Sequence, residues 1–192
     1  MATDQRIIKT NQAIETAFIQ LAQAQPINKI TVTALAKRAH ISRKTYYAHY
    51  PDIDALVLTL KTRLLDSFRQ AFIPVSVSDT STDAERMDQF VTFLEKNRQL
   101  IQLFQTHEDT LFLTSAHQDL SALYQQRLFQ NQHFTQDEAT TIAPWLVDFY
   151  TTGLAKLIID WLSAEKPLSH QAMTKLLLLL FQVTSASKKD DQ

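Results

Sequence analysis

Between Arg43 and His49 the chain sets a guanidinium, an ammonium, a threonine hydroxyl, two phenols and an imidazole within two helical turns. Each can donate a hydrogen bond. Stepping about 100° per residue from Arg43 places Tyr46 and Tyr50 about 40° apart on one side, with Lys44, Thr45 and Ala48 directly opposite and Tyr47 and His49 on the two flanks. A helix of this kind could lay its N-terminal residues in a DNA major groove. Arg43 and Lys44 would then reach guanine O6 and N7, and Ala48 or the Thr45 methyl would meet a thymine methyl, while flanking polar groups hold phosphates. The same pattern also suits a two-helix corner of a larger helical core, with Arg43 and Lys44 as ordinary solvated charges.

The elements that must hold these residues are written just upstream. Thr31 can cap a helix on which Val32, Leu35, Ala36 and Ala39 fall at i, i+3, i+4 and i+7, one buried stripe. Ser42 can cap the next. Ile41 before that cap and Tyr46 at its fourth position have the spacing of a hydrophobic staple, so the angle between the two helices is set locally. A preceding helix is expected from about Arg6 to Gln25, with Ile14, Ala17, Phe18 and Leu21 as its stripe and Pro26 as its stop. Its basic start, Arg6 and Lys9, could reach a nucleic-acid backbone.

The run T-V-x-x-L-A-K-R-A followed by I-S-R-K-T-Y-Y-A-H-Y-P resembles the N-terminal domain of TetR-type transcriptional regulators, over roughly residues 7 to 60. The resemblance implies phosphate contacts from Thr33, Tyr47 and His49 and base contacts from Arg43, Lys44 and Thr45. The chain departs from that pattern twice. The turn position usually held by Gly is His40, a side chain that enters the left-handed region more readily than most but less readily than Gly. The Lys common two residues after the Pro is Ile53, flanked by Asp52 and Asp54, so the phosphate contact that such a Lys implies is not carried over to this chain.

At 192 residues the chain can bury roughly 70% of its unfolded surface, enough for a core without covalent staples. With no Cys there is no disulfide or thiolate chemistry, which fits a reducing cytoplasm. The segment MATDQRIIKT has no apolar run of signal-peptide type. One Gly and five Pro leave few breakers, and the apolar spacing is helical nearly throughout, so the fold class is all-α. A formal net charge of -1 conceals an asymmetry: residues 1 to 63 hold nine Lys or Arg against four Asp or Glu, and the remainder ten against sixteen. The basic part is the part carrying the helix-turn-helix, where a polyanion would dock.

After Pro51 a long helix is expected to about Phe72, linking the two parts of the chain, and the Ser- and Thr-rich stretch 74 to 82 reads as a loop. Helices follow from about Thr82, through Leu100 to Phe104, and from Asp109 to about Asn131. Phe90, Phe93, Phe104, Phe112, Tyr124 and Phe129 either line an apolar ligand pocket or fill a core, and His117 is the polar group chosen to face a ligand. His107, His117 and His133, with Glu108 and Asp109, match no tight ligand spacing, so no metal or other cofactor is expected. Thr135 and Glu138 form a capping box opening a long helix, which Pro144 should kink and in which Gly153 suggests close approach of a neighbouring backbone. Ser169 can cap a last helix, Met173 to Val183, apolar nearly all round and in need of cover on two sides. The tail KKDDQ reads as disordered.

The expected architecture is a three-helix helix-turn-helix DNA-binding domain at 1–51, a helical ligand-binding and dimerisation domain at 52–187, and a tail at 188–192. TetR-type regulators build a four-helix dimer interface from their last two helices. The resemblance, extended weakly by G-L-A-K-L-I-I-D-W-L to a branch containing dihydroxyacetone-operon regulators, implies Gly153, Leu157, Trp161, Leu176 and Leu180 as dimer residues. It implies a cytoplasmic homodimer on a near-palindromic double-stranded operator, repressing until a small-molecule effector releases it. The alternative is an activator controlled by a protein co-regulator docked on the C-terminal domain. No membrane partner is expected. Without Cys, a glycine-rich phosphate loop or a recognisable nucleophile arrangement, nothing points to an enzyme.

Overall fold

Apolar residues recurring every three or four positions form helices, and no strand occurs among the described residues, which in this computed structural model are 2–72, 82–106, 117–119, 121–122, 135–165 and 167–183. Helix α1 spans Ala2–Ala24. It begins four residues before the expected Arg6 because nothing in residues 2 to 5 breaks a helix, and Ile14, Ala17 and Phe18 form its buried stripe. Past Pro26 a single 3-10 turn, Ile27–Lys29, leads to α2, Val32–Arg38, and then to α3, Arg43–Tyr47. Helix α1 packs on α2, and α2 on α3.

Helix α4, Ile53–Phe72, opens where the Asp52 carboxylate accepts the Ala55 N–H at 2.7 Å. Helix α5, Asp83–Lys96, starts with a capping box: the Glu85 N–H donates to Thr82 Oγ1 at 3.2 Å, and the Thr82 N–H to the Glu85 carboxylate at 2.7 Å. Helix α6 is Arg98–Thr106. Residues 117–119 and 121–122 are helical; the rest of the helix expected at 109–131 lies outside the described residues. Helices α7, Gln136–Thr141, α8, Ala143–Ser163, and α9, His170–Val183, complete the order.

The chain divides into two compact units, Met1–Leu64 with Gln99–Asp109 and Leu65–Arg98 with Thr110–Gln192. In the first, Ile14, Phe18, Leu35, Tyr46, Leu56, Leu60 and Phe104 are fully buried. In the second, α9 packs along α5, and Phe68, Phe90 and Phe93 form an aromatic cluster in which the Phe90 and Phe93 rings stack with centroids 6.2 Å apart.

Two local expectations change. Pro144 does not kink one long helix: the chain breaks at Ile142, and Pro144 sits in the first turn of α8, where its missing N–H costs nothing. Gly153 is not pressed by a neighbour; a Cβ built there meets nothing within 4 Å. Helix α9 buries Met173 and Leu177 and leaves Leu179 exposed, in keeping with a helix that needs further cover. No helix among the described residues is long and apolar enough to cross a membrane.

Candidate nucleic-acid interface

Side-chain caps build the helix-turn-helix from its own sequence. The Ala34 N–H donates to Thr31 Oγ1 at 3.2 Å, and the Thr45 N–H donates to Ser42 Oγ at 3.0 Å. Between the helices, His40 takes φ 55°. The Ile41 N–H reaches back to the Ala36 carbonyl at 3.0 Å and the His40 N–H to that of Lys37 at 3.3 Å, the paired bonds that close a helix through a left-handed residue. This turn fixes where Ser42 begins α3.

Tyr46 anchors α3 from beneath. Fully buried, it donates from its hydroxyl to the Asp52 carbonyl at 2.9 Å, tying α3 to the start of α4. Burial first, and the nearby Asp52 second, push its phenol well above the ordinary tyrosine value. Tyr50 is raised too, mainly by burial, with Arg63 opposing. Both phenols therefore stay neutral and serve as structure.

With that side occupied, Arg43, Lys44, Tyr47 and Ala48 are exposed, as is Thr33 in the first turn of α2. Arg43 lies over the Tyr47 ring, its Cζ 6.0 Å from the centroid, which limits how far either long side chain wanders. Thr45 is half-buried and its hydroxyl stands 2.8 Å from Ser42 Oγ, so its methyl rather than its oxygen is the freer group. His49 is half-buried as well, its Nδ1 2.7 Å from Asn11 Oδ1 of α1. A cleft of about 360 Å³ between α1 and α3 gathers Arg6, Thr10, Lys44, Thr45 and His49. A wider open groove of about 820 Å³ between α1 and α2, with Lys37, Arg38 and His40 along its rim, contains none of the six residues expected to touch DNA.

The aromatic ligand candidates fall differently. Phe90 and Phe93 are packed into each other and onto Phe68, and Phe104 is fully buried with the Lys61 ammonium 5.5 Å from its ring centre. All three fill cores. Phe112, Tyr124 and Phe129 lie outside the described residues, as do His107 and His133. His117 does face a hollow, of about 240 Å³, together with Ser121, Pro144, Val147 and Asp148, and its Nε2 is 3.7 Å from the Asp148 carboxylate.

Of the residues expected at a dimer surface, Gly153 is exposed and Leu157, Leu176 and Leu180 are half-buried. Trp161 is a correction. It is only 7% exposed, and its indole N–H donates to the Leu168 carbonyl at 2.8 Å inside its own protomer. The aromatic groups that α8 does expose are Trp145, at 78%, and Phe149, at 71%, with Ile142 on the same face. Their i, i+3, i+7 spacing was visible in the sequence but merged with the buried stripe into one broad apolar face. Asn11 carried no sequence signal, being 38 positions from the imidazole it meets.

The family described as "Transcriptional regulator C-terminal region" of TetR type matches residues 84–182, just over half of the chain. EthR of Mycobacterium tuberculosis is 36% identical over 67 residues, and that match covers 35% of this chain and 31% of EthR. The chain thus matches less than a third of that relative's length. A TetR transcriptional regulator from Streptococcus agalactiae superposes with a TM-score of 0.59 at 25% identity, over 94% of this chain and 97% of the other. A TetR/AcrR-type regulator from Aquifex aeolicus superposes with a TM-score of 0.61 at 15% identity, over 91% and 98%, a likeness of fold.

Proposed function

This chain belongs to the TetR family of transcriptional regulators, and from that premise we propose that it is a homodimeric, sequence-specific DNA-binding repressor released by a small effector bound in its second unit. The observation that carries the DNA reading is the capped α3, held from beneath by buried Tyr46 and presenting Arg43, Lys44 and Tyr47 outward. In this reading Arg43, Lys44 and the Thr45 methyl contact bases, and Thr33, Tyr47 and His49 contact phosphates. The dimer reading is supported by the exposed Trp145 and Phe149 of α8 and Ile142 just before it, apolar surface rarely left to water, and by Gly153, which leaves room for a second backbone on that helix. Two copies related by a twofold axis would place their α3 helices about one DNA turn apart, roughly 34 Å or somewhat more, so the operator is a near-palindrome.

The hollow beside His117 is the place proposed for the effector, because Val147 and Pro144 offer apolar wall while His117, Asp148 and Ser121 offer polar partners. An effector represses or releases only by binding one DNA-affinity state better than the other. The covalent route between the units includes α4, whose residues contribute to both. Repression is the sign we propose; the dihydroxyacetone kinase operon activator DhaS, similar in fold at a TM-score of 0.56 and 17% identity, is an activator by name.

Sheared genomic DNA of the source organism, mixed with the purified protein at moderate salt, recovered and sequenced, tests this reading. One enriched near-palindrome is expected. Fragments without a shared sequence, bound in a steeply salt-dependent way, would overturn sequence-specific recognition by the unassisted chain and favour control through a protein partner.

A further inference from the structure

The contact between His49 and Asn11 joins the end of the recognition helix to α1, with Nδ1 and Oδ1 2.7 Å apart. An amide oxygen only accepts, so the ring nitrogen must donate. In a neutral imidazole that assigns the single proton to Nδ1 and leaves Nε2 as a bare lone pair. Nε2 is then unable to hold a phosphate oxygen, since both atoms are acceptors. Only the imidazolium, with protons on both nitrogens, can bond Asn11 and a phosphate together.

We propose that Asn11 is a positioning residue that makes the backbone contact of His49 depend on a proton, so that the protein takes up a proton when it binds duplex DNA. This rests on the reading of α3 as the DNA-contacting helix. Asn11 never touches DNA in this arrangement; it acts by fixing which imidazole nitrogen carries the proton. The surroundings favour the same outcome once DNA is bound. Arg6 and Lys44 line the cleft with His49 and attract the phosphate, and the phosphate in turn favours a charged imidazole. On the other side stands neutral Tyr50, whose ring centre is 6.4 Å from that of His49. Glu15 of α1 and Arg63 of α4 both face Tyr50 and are paired with each other, so neither brings a net charge.

The sign follows from linkage. A backbone contact that forms only when His49 is protonated is present at low pH and lost as pH rises, so affinity falls with pH by no more than that contact is worth in each half of the dimer.

The test has two arms. In the first, fluorescence anisotropy with a labelled mixed-sequence duplex of about three helical turns, at fixed low salt, gives Kd between about pH 5 and pH 8 for the parent, His49→Gln and Asn11→Ala. The parent should lose affinity with pH relative to His49→Gln. Asn11→Ala should flatten the profile and bind more tightly than the parent at the alkaline end, because a neutral His49 released from Asn11 can place its proton on Nε2. A merely structural role for Asn11 predicts weaker binding at every pH. In the second arm, long-range proton–nitrogen correlation spectra of the DNA-free protein labelled at its six His, with His49→Gln identifying the signal, report the tautomer directly. The Nδ1–H form is expected in the parent and the Nε2–H form in Asn11→Ala. An Nε2–H parent, which would mean that Asn11 donates from Nδ2, or a parent profile parallel to that of His49→Gln, overturns the proposal. If the parent retains no duplex at any pH, the DNA reading itself falls, whatever tautomer the spectra show.

Discussion

His40 occupies a left-handed backbone conformation that glycine enters without steric cost and other residues enter at about 1 to 2 kcal/mol. The turn survives because the two returning N–H bonds and the cap at Ser42 over-determine it. His40→Gly should therefore stabilise the protein by about 1 kcal/mol after the greater chain entropy of Gly is offset, raising Tm by about 2–4 °C in thermal unfolding followed by circular dichroism. A lowered Tm would mean that the imidazole contributes something the turn geometry does not explain. On α3 two substitutions separate the roles assigned to neighbouring side chains. Lys44→Ala should cost about 1–3 kcal/mol on the operator and relax preference at one base pair, whereas Tyr47→Phe should weaken binding to all duplexes nearly alike. Competition titrations against single-base operator variants distinguish the two, and equal behaviour would put the groove-facing side elsewhere.

Between elements, the junction of α9 with α5 turns on one imidazole. His170, the first residue of α9, sets Nδ1 2.9 Å from the Glu95 carboxylate and Nε2 2.9 Å from that of Asp88, so the ring is bridged at both nitrogens. Hydrogen bonding to Glu95 first and Asp88 second raises its pKa above the ordinary imidazole value. A raised folded-state pKa adds stability that is complete below the unfolded value and lost as pH climbs through the folded one. Denaturant unfolding should accordingly show stability declining as pH rises from just below the ordinary imidazole value, and His170→Gln should remove that slope; an identical slope in the variant would assign it to another group. Stability losses at more acidic pH belong to carboxylates such as Glu138, whose pKa the Thr135 backbone N–H and hydroxyl hold down.

This junction also marks where sequence reading runs out. The caps at Thr31, Ser42 and Thr135 were legible because each partner lies three residues away, and the left-handed turn was flagged by a His in a position that favours Gly. His170 with Asp88 and Glu95, or Asn11 with His49, spans dozens of residues, and no periodicity announces such a pair. Pro144 misled for a different reason: the same residue that interrupts a helix is favoured in its first turn, and only the break at Ile142 decides between the two.

For the whole molecule, the question is what covers α8. Ile142, Trp145 and Phe149 form an outward apolar ridge beside a glycine with open space above it, whereas Trp161 further along the helix belongs to its own core. If a second copy covers this ridge, Trp145→Glu with Phe149→Glu should sediment as a monomer at concentrations where the parent is a dimer, while keeping its helical spectrum. Losing the link between two half-sites should also weaken palindrome binding by about 10²-fold or more. A double variant that sediments with the parent would place the interface elsewhere. The placement of the chain's two tryptophans, one open to water and one buried against a carbonyl, gives the protein an optical gauge of its own. If a second copy covers the ridge, Trp145 should shift its emission from red to blue as its surface dries, while buried Trp161 should emit in the blue throughout. Diluting unlabelled protein and following the red edge of its fluorescence would thus trace self-association through a reporter already in the chain.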